Sequence, residues 1–203
     1  MSARRETTCC GSCCTLLISV GIAVLIYWAI FQPHQIRATV DAATLSNLTV
    51  SNASSAAATV SYHLAVSLSL YNPSKRVNIY YDALDAELRL RDAVLSPAVT
   101  AASPAEFLQS RKSSDVVKLE FDGKGGVGVP GDVAGELEKE AKGEAPVSLE
   151  LAVDARVRYV FGTIKIRQKP RIRCWLSIPV KAEGAGAGAG GAVSSGDRCR
   201  VKY

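Results

Sequence analysis

The side chains able to do chemistry in this chain of 203 residues are few: six cysteines, two histidines and two glycosylation acceptors. The cysteines divide by position. Cys9, Cys10, Cys13 and Cys14 crowd into a CCGSCC cluster before an apolar run, whereas Cys174 and Cys199 lie near the C-terminus. Thiols beside an apolar segment are sites for reversible S-acylation, or they stay unmodified. A zinc site is the least favoured reading, because its ligands normally sit on a folded knuckle and here no histidine is near. Cys174 and Cys199 would close a loop worth about 3.5 kcal/mol in the chain-entropy picture, which requires an oxidising compartment. The rival is two buried free thiols, since Cys174 alternates in phase with Ile172, Leu176 and Ile178. The bridge is the reading adopted. Asn47-Leu-Thr and Asn52-Ala-Ser are glycosylation acceptors, whereas Asn72 is followed by Pro73 and is excluded. Both features place the C-terminal side of the apolar run outside the cytosol.

No catalytic set can be assembled. His34 and His63 have no third partner at a recognisable spacing, and no Ser/His/Asp, Cys/His or paired-carboxylate pattern emerges. The run Lys124 to Gly128 has the glycines of a phosphate loop, but Val129 and Pro130 stand where a second lysine and a hydroxyl residue are needed. A hairpin tip is the better reading. The sequence therefore predicts a non-enzyme with no cofactor and no metal.

The elements that must position these residues are of two kinds. From Cys13 to Phe31 the chain is uncharged, and 19 residues of helix span about 28 Å. The run ends in Tyr27, Trp28 and Phe31, bulky residues unlike a signal-peptide cleavage site. This predicts a cytosolic segment 1–12, a transmembrane helix 13–31 in the lipid bilayer, and an extracytosolic domain 32–203. Beyond residue 34 strand periodicity dominates. Val60 to Leu70 and Val147 to Phe161 place apolar residues at every second position, and shorter alternations cover 83–91, 117–121, 162–167 and 171–179. Turns at Asn72-Pro73, Ser96-Pro97, Gly123 to Gly128, Gly162 and Lys169-Pro170 separate them. The sum is an all-β antiparallel sandwich of about seven or eight strands. One short helix over 133–142 is expected, capped by Asp132, stopped by Gly143, and packed through Val133, Leu137 and Ala141. The glycine- and alanine-rich stretch 182–195 reads as a flexible loop. Net charge is +5, and the charges read as scattered, which argues against nucleic-acid binding.

Asn72-Pro73-Ser-Lys-Arg-Val-Asn-Ile-Tyr80-Tyr81-Asp82, placed after a long alternating strand, resembles the Asn-Pro and Tyr-Tyr-Asp segments of the plant harpin-induced and non-race-specific disease resistance-like proteins. Phe107-Leu-Gln-Ser is similar to their Phe-Tyr-Gln-Gly segment, Val157-Arg-Tyr-Val-Phe-Gly162 to their Val-Arg-aromatic strand, and Cys174 with Cys199 to their paired cysteines. Leu108 and Ser110 depart from the pattern. The resemblance covers essentially the whole chain. It implies a late embryogenesis abundant type 2 domain in a plasma-membrane protein of defence or stress responses, acting by binding a protein or cell-wall partner, alone or as a homo- or hetero-oligomer. Two other readings are a sandwich that holds lipid between its sheets and a protein protecting against desiccation. The motif itself reads either as a recognition surface or, the reading adopted, as structure, in which Pro73 fixes a turn, Asn72 bonds local backbone, and the tyrosines pack with wet hydroxyls.

Overall fold

A computed structural model describes residues 8–31, 35–51, 57–91, 93–99, 102–143, 145–182, 188–194 and 196–203. The chain forms two compact units, one up to His34 and one from Gln35 to Tyr203.

The first unit holds helix α1 (Thr8–Phe31). Here the sequence expectation is corrected: among the described residues no helix is long and apolar enough to cross a membrane. Among the described residues the fold class is thus two antiparallel sheets with two helices, and the transmembrane segment expected at 13–31 is not supported.

The second unit begins with β1 (Arg37–Ser51), β2 (Ala57–Tyr71), β3 (Asn78–Leu90), β4 (Ala93–Val99), β5 (Ala102–Ser103), β6 (Phe107–Gln109), β7 (Ser114–Asp122) and β8 (Val127–Pro130). After α2 (Gly131–Ala141) come β9 (Val147–Phe161), β10 (Ile164–Gln168), β11 (Arg171–Ile178), β12 (Lys181–Ala182), β13 (Ala189–Val193), β14 (Asp197–Arg198) and β15 (Arg200–Lys202). One sheet runs β12-β13-β1-β2-β7-β5, with β14 also on β1 and β8 on β2. The other runs β15-β11-β9-β3-β4, with β10 also on β9 and β6 on β3. Every pairing is antiparallel.

Alternation builds the core. On β2, Tyr62, Leu64, Val66, Leu68 and Leu70 are buried, and on β9 Val147, Leu149, Leu151, Val153 and Val157, so one apolar face of each sheet feeds a single sandwich-like core. Two local expectations are corrected. Helix α2 starts at Gly131 with Pro130 before it and no side-chain cap, so Asp132 lies in the first turn, where its charge suits the helix dipole. The expected stripe does pack, with Leu137 buried and Val133 and Ala141 half-buried against the core, and Ala134 and Glu140 are buried beside it. Within 182–195, Ala189–Val193 is a strand paired with β1, because residues without bulk let it lie against neighbouring backbone. A Cβ on Gly191 would run into the Pro179 carbonyl, and one on Gly188 would sit 2.7 Å from the Asn47 carbonyl carbon.

Candidate functional site

The family-like residues converge where β2 leaves its sheet and β3 begins. Asn72 is fully buried. Its Nδ2 donates to the Val77 carbonyl at 2.9 Å and to the Ser110 carbonyl at 3.0 Å, and its Oδ1 accepts from the Ser74 amide at 3.0 Å. Its own amide donates to the Ser113 carbonyl at 2.9 Å. The Ser74 hydroxyl accepts from the Arg76 and Val77 amides, which closes the turn that Pro73 initiates. One amide side chain thus welds 72–77 to 110–113.

Gln109 does the same one layer away. It is fully buried, its Nε2 donates to the Leu70 carbonyl at 2.6 Å, and its Oε1 accepts from the Tyr81 hydroxyl at 3.2 Å. Tyr81 is fully buried and stacks on Phe107 with ring centroids 4.5 Å apart. Its hydroxyl is therefore not wet, against the sequence expectation: the phase of β3 sends it inward, where Gln109 of β6 receives it. Burial pushes the Tyr81 phenol well above the ordinary tyrosine range, and Tyr203 and Asp115 add to the shift.

Tyr80 and Asp82 face outward. The register of β3 against β9 shifts between Tyr81 and Ala83, so Asp82 and Ala83 follow each other on the outer side. Asp82 thereby meets Arg158, which donates through Nε at 2.8 Å and also through Nη2. The same guanidinium lies 4.5 Å from the Tyr80 ring centroid, and the Tyr80 hydroxyl donates to Glu106 at 3.3 Å. Gln109, Glu106 and Arg158 were not among the sequence candidates. The Phe107-Leu-Gln-Ser and Val157-Arg segments signalled Gln109 and Arg158 only by resemblance, and nothing signalled Glu106.

Cys174 and Cys199 form a disulfide, closing 25 residues of sequence separation. Beside it, Tyr203 accepts the Ile36 amide at 2.8 Å and shares a 3.0 Å hydrogen bond with the Tyr159 hydroxyl, so chain end and domain start are tied together. Burial, then the hydrogen bond to Tyr203, raises the Tyr159 phenol far above its usual range. Asn47 is exposed with φ 55° at a register shift of β1, a left-handed position that asparagine tolerates. Asn52 and His34 lie outside the described residues. Cys13 and Cys14 are exposed free thiols, while the side chains of Cys9 and Cys10 lie outside the described residues.

Among the described residues, two cavities bear on ligand binding. Between the sheets, Leu45, Leu48, Tyr62, Leu88, Leu137 and Leu149 help line a space of about 10 Å³, the room of one water and not of an acyl chain. An open groove of about 330 Å³ beside α2 is bordered by Arg91, which Glu136 and Glu140 already hold.

No family model matches the chain. Three curated proteins of Arabidopsis thaliana are similar to it. NDR1/HIN1-like protein 3 is 26% identical over 93% of this chain and 77% of its own length. NDR1/HIN1-like protein 10 is 27% identical over 79% and 67%, and NDR1/HIN1-like protein 2 is 28% identical over 81% and 65%. None of these names denotes an enzyme. A solved protein from Archaeoglobus fulgidus, 10% identical, covers 71% of this chain and 95% of its own with a TM-score of 0.28, too low to carry an argument. The curated homologues extend the resemblance seen at Asn72-Pro73 and Tyr80-Tyr81-Asp82 over most of the chain, which is thus similar to the NDR1/HIN1-like proteins.

Proposed function

We propose that residues 35–203 form a non-catalytic binding module of a plant defence or stress protein, working in an oxidising, extracytosolic compartment on a protein or cell-wall partner. The observation that carries this reading is how the motif is spent. Asn72, Tyr81 and Gln109 direct their polar atoms into the fold, and no nucleophile, base or vacant donor set converges there. Recognition then falls to the outer faces of the sheets. The Cys174–Cys199 bridge supports the compartment, because such bonds persist where thiols are oxidised. The relatives' names support the defence role. Proximity labelling from the full-length chain in plant cells, with and without pathogen elicitor, tests the proposal. The expected labelled set is cell-surface and wall proteins that change on elicitation; an unchanging, purely cytosolic set contradicts it.

A further inference from the structure

Residues 155–203 carry eleven basic and two acidic side chains, so the charge is not scattered. The fold then lines it up. β10 and β11 lie along β9 in one continuous register, in which Ile164 pairs with Phe161 and Arg171 with Asp154, and the Ala155 amide donates to the Pro170 carbonyl between them. Every second residue therefore faces outward: Lys165, Arg167, Lys169, Arg171, Arg173 and then Trp175. The five cations span about 27 Å along the sheet. β15 adds Lys202 opposite Arg171 and Arg200 opposite Arg173, and Arg167 stands opposite Arg158.

Like charges placed directly across two strands repel. The carboxylates of this face answer only some of them: Glu150 pairs with Arg173, Asp154 with Arg171, Asp82 with Arg158 and Asp85 with Arg156. Lys165, Arg167, Lys169, Arg200 and Lys202 take part in none of the ion pairs found among the described residues. At the end of the row Trp175 is 56% exposed.

We infer that this track binds a linear acidic polysaccharide, its uronate carboxylates paired to the lysines and arginines and one sugar ring stacked on Trp175. The inference rests on the binding-module reading above and names its ligand class. A straight row of cations at every second residue matches a polymer of regularly repeated carboxylates, and guanidinium groups bind carboxylate in a planar, two-point manner. An exposed indole offers a flat apolar face to a sugar ring. A membrane surface fits less well, because Ile164 and Ile166 share the opposite face of β10, with Phe161 and Tyr159, and lie away from the cations.

The full-length chain is tested for binding to polygalacturonate, to the same polymer methyl-esterified, and to vesicles of phosphatidylserine and phosphatidylcholine. Binding to polygalacturonate that weakens with salt and is at least about tenfold weaker for the ester is expected. The triple variant K165E/R167E/K169E should lose binding at least about tenfold, and W175A severalfold, each with an unchanged thermal midpoint. K75E/R76E/K118E, which reverses as many exposed charges elsewhere, should bind as the parent does. Equal loss in both triple variants, equal binding of the ester, or binding of phosphatidylserine vesicles in place of the polymer overturns the inference. If the polymer is ignored while elicitor-dependent surface proteins are still labelled, the binding-module reading stands and this ligand falls.

Discussion

Asn72 has no access to water, so each polar atom of its side chain must be answered from within the protein, and each is. Asn72→Ala removes three hydrogen bonds and leaves two partly buried carbonyls and the buried Ser74 amide short of partners. A loss of about 2–4 kcal/mol is expected from urea unfolding, with a loss under about 0.5 kcal/mol excluding the welding role. Tyr81 and Tyr159 make a second prediction, in pH. Both phenols stay protonated in the fold, while in the unfolded chain they ionise near pH 10. Above that pH the unfolded state binds fewer protons than the folded one, so stability falls as pH rises, by up to about 1.4 kcal/mol per unit for each phenol. Tyr81→Phe should flatten that fall between about pH 10 and 11, as read from urea midpoints; an unaltered slope counts against the buried phenol. The Asn72-Pro73 turn was legible in the sequence, because its chemistry is local. The partners Ser110 and Gln109 were not, since they arrive from nearly forty residues away and only the pairing of β6 with β3 brings them in.

Strand periodicity revealed β2 and β9 because each has one buried face, and period two is then written in apolar residues. It could not reveal β13, whose glycines and alanines carry no such pattern; there the reason for small residues is close backbone approach. Gly191→Ala tests this, since a methyl group aimed at the Pro179 carbonyl should cost about 1–3 kcal/mol in thermal or urea unfolding, whereas a loop residue would tolerate it. The apolar stripe of α2 was legible in the sequence, but the burial of Glu140 beside it was not. Its charge is held by Arg91, a contact invisible in a helical wheel. Reducing the bridge between β11 and the segment before β15 should cost about 3.5 kcal/mol, measured as the shift in urea midpoint between oxidised chain and the Cys174→Ser/Cys199→Ser variant.

For the molecule as a whole, composition gave a net charge but not its geometry. The alternation of Lys165 to Arg173 becomes a surface row only when β10 and β11 share one register along β9. The two-sheet packing uses up the motif's polar atoms inside, at β3 and β6, and leaves this row on the outer side of β10 and β11, so the proposed recognition surface lies on other strands than the motif. That division depends on the domain maturing where thiols are oxidised. Acid quenching of plant cells, alkylation of free thiols and mass spectrometry of the protein's peptides test it most directly. Cys174 and Cys199 should be recovered as one bridged peptide pair; both residues recovered alkylated would contradict the account.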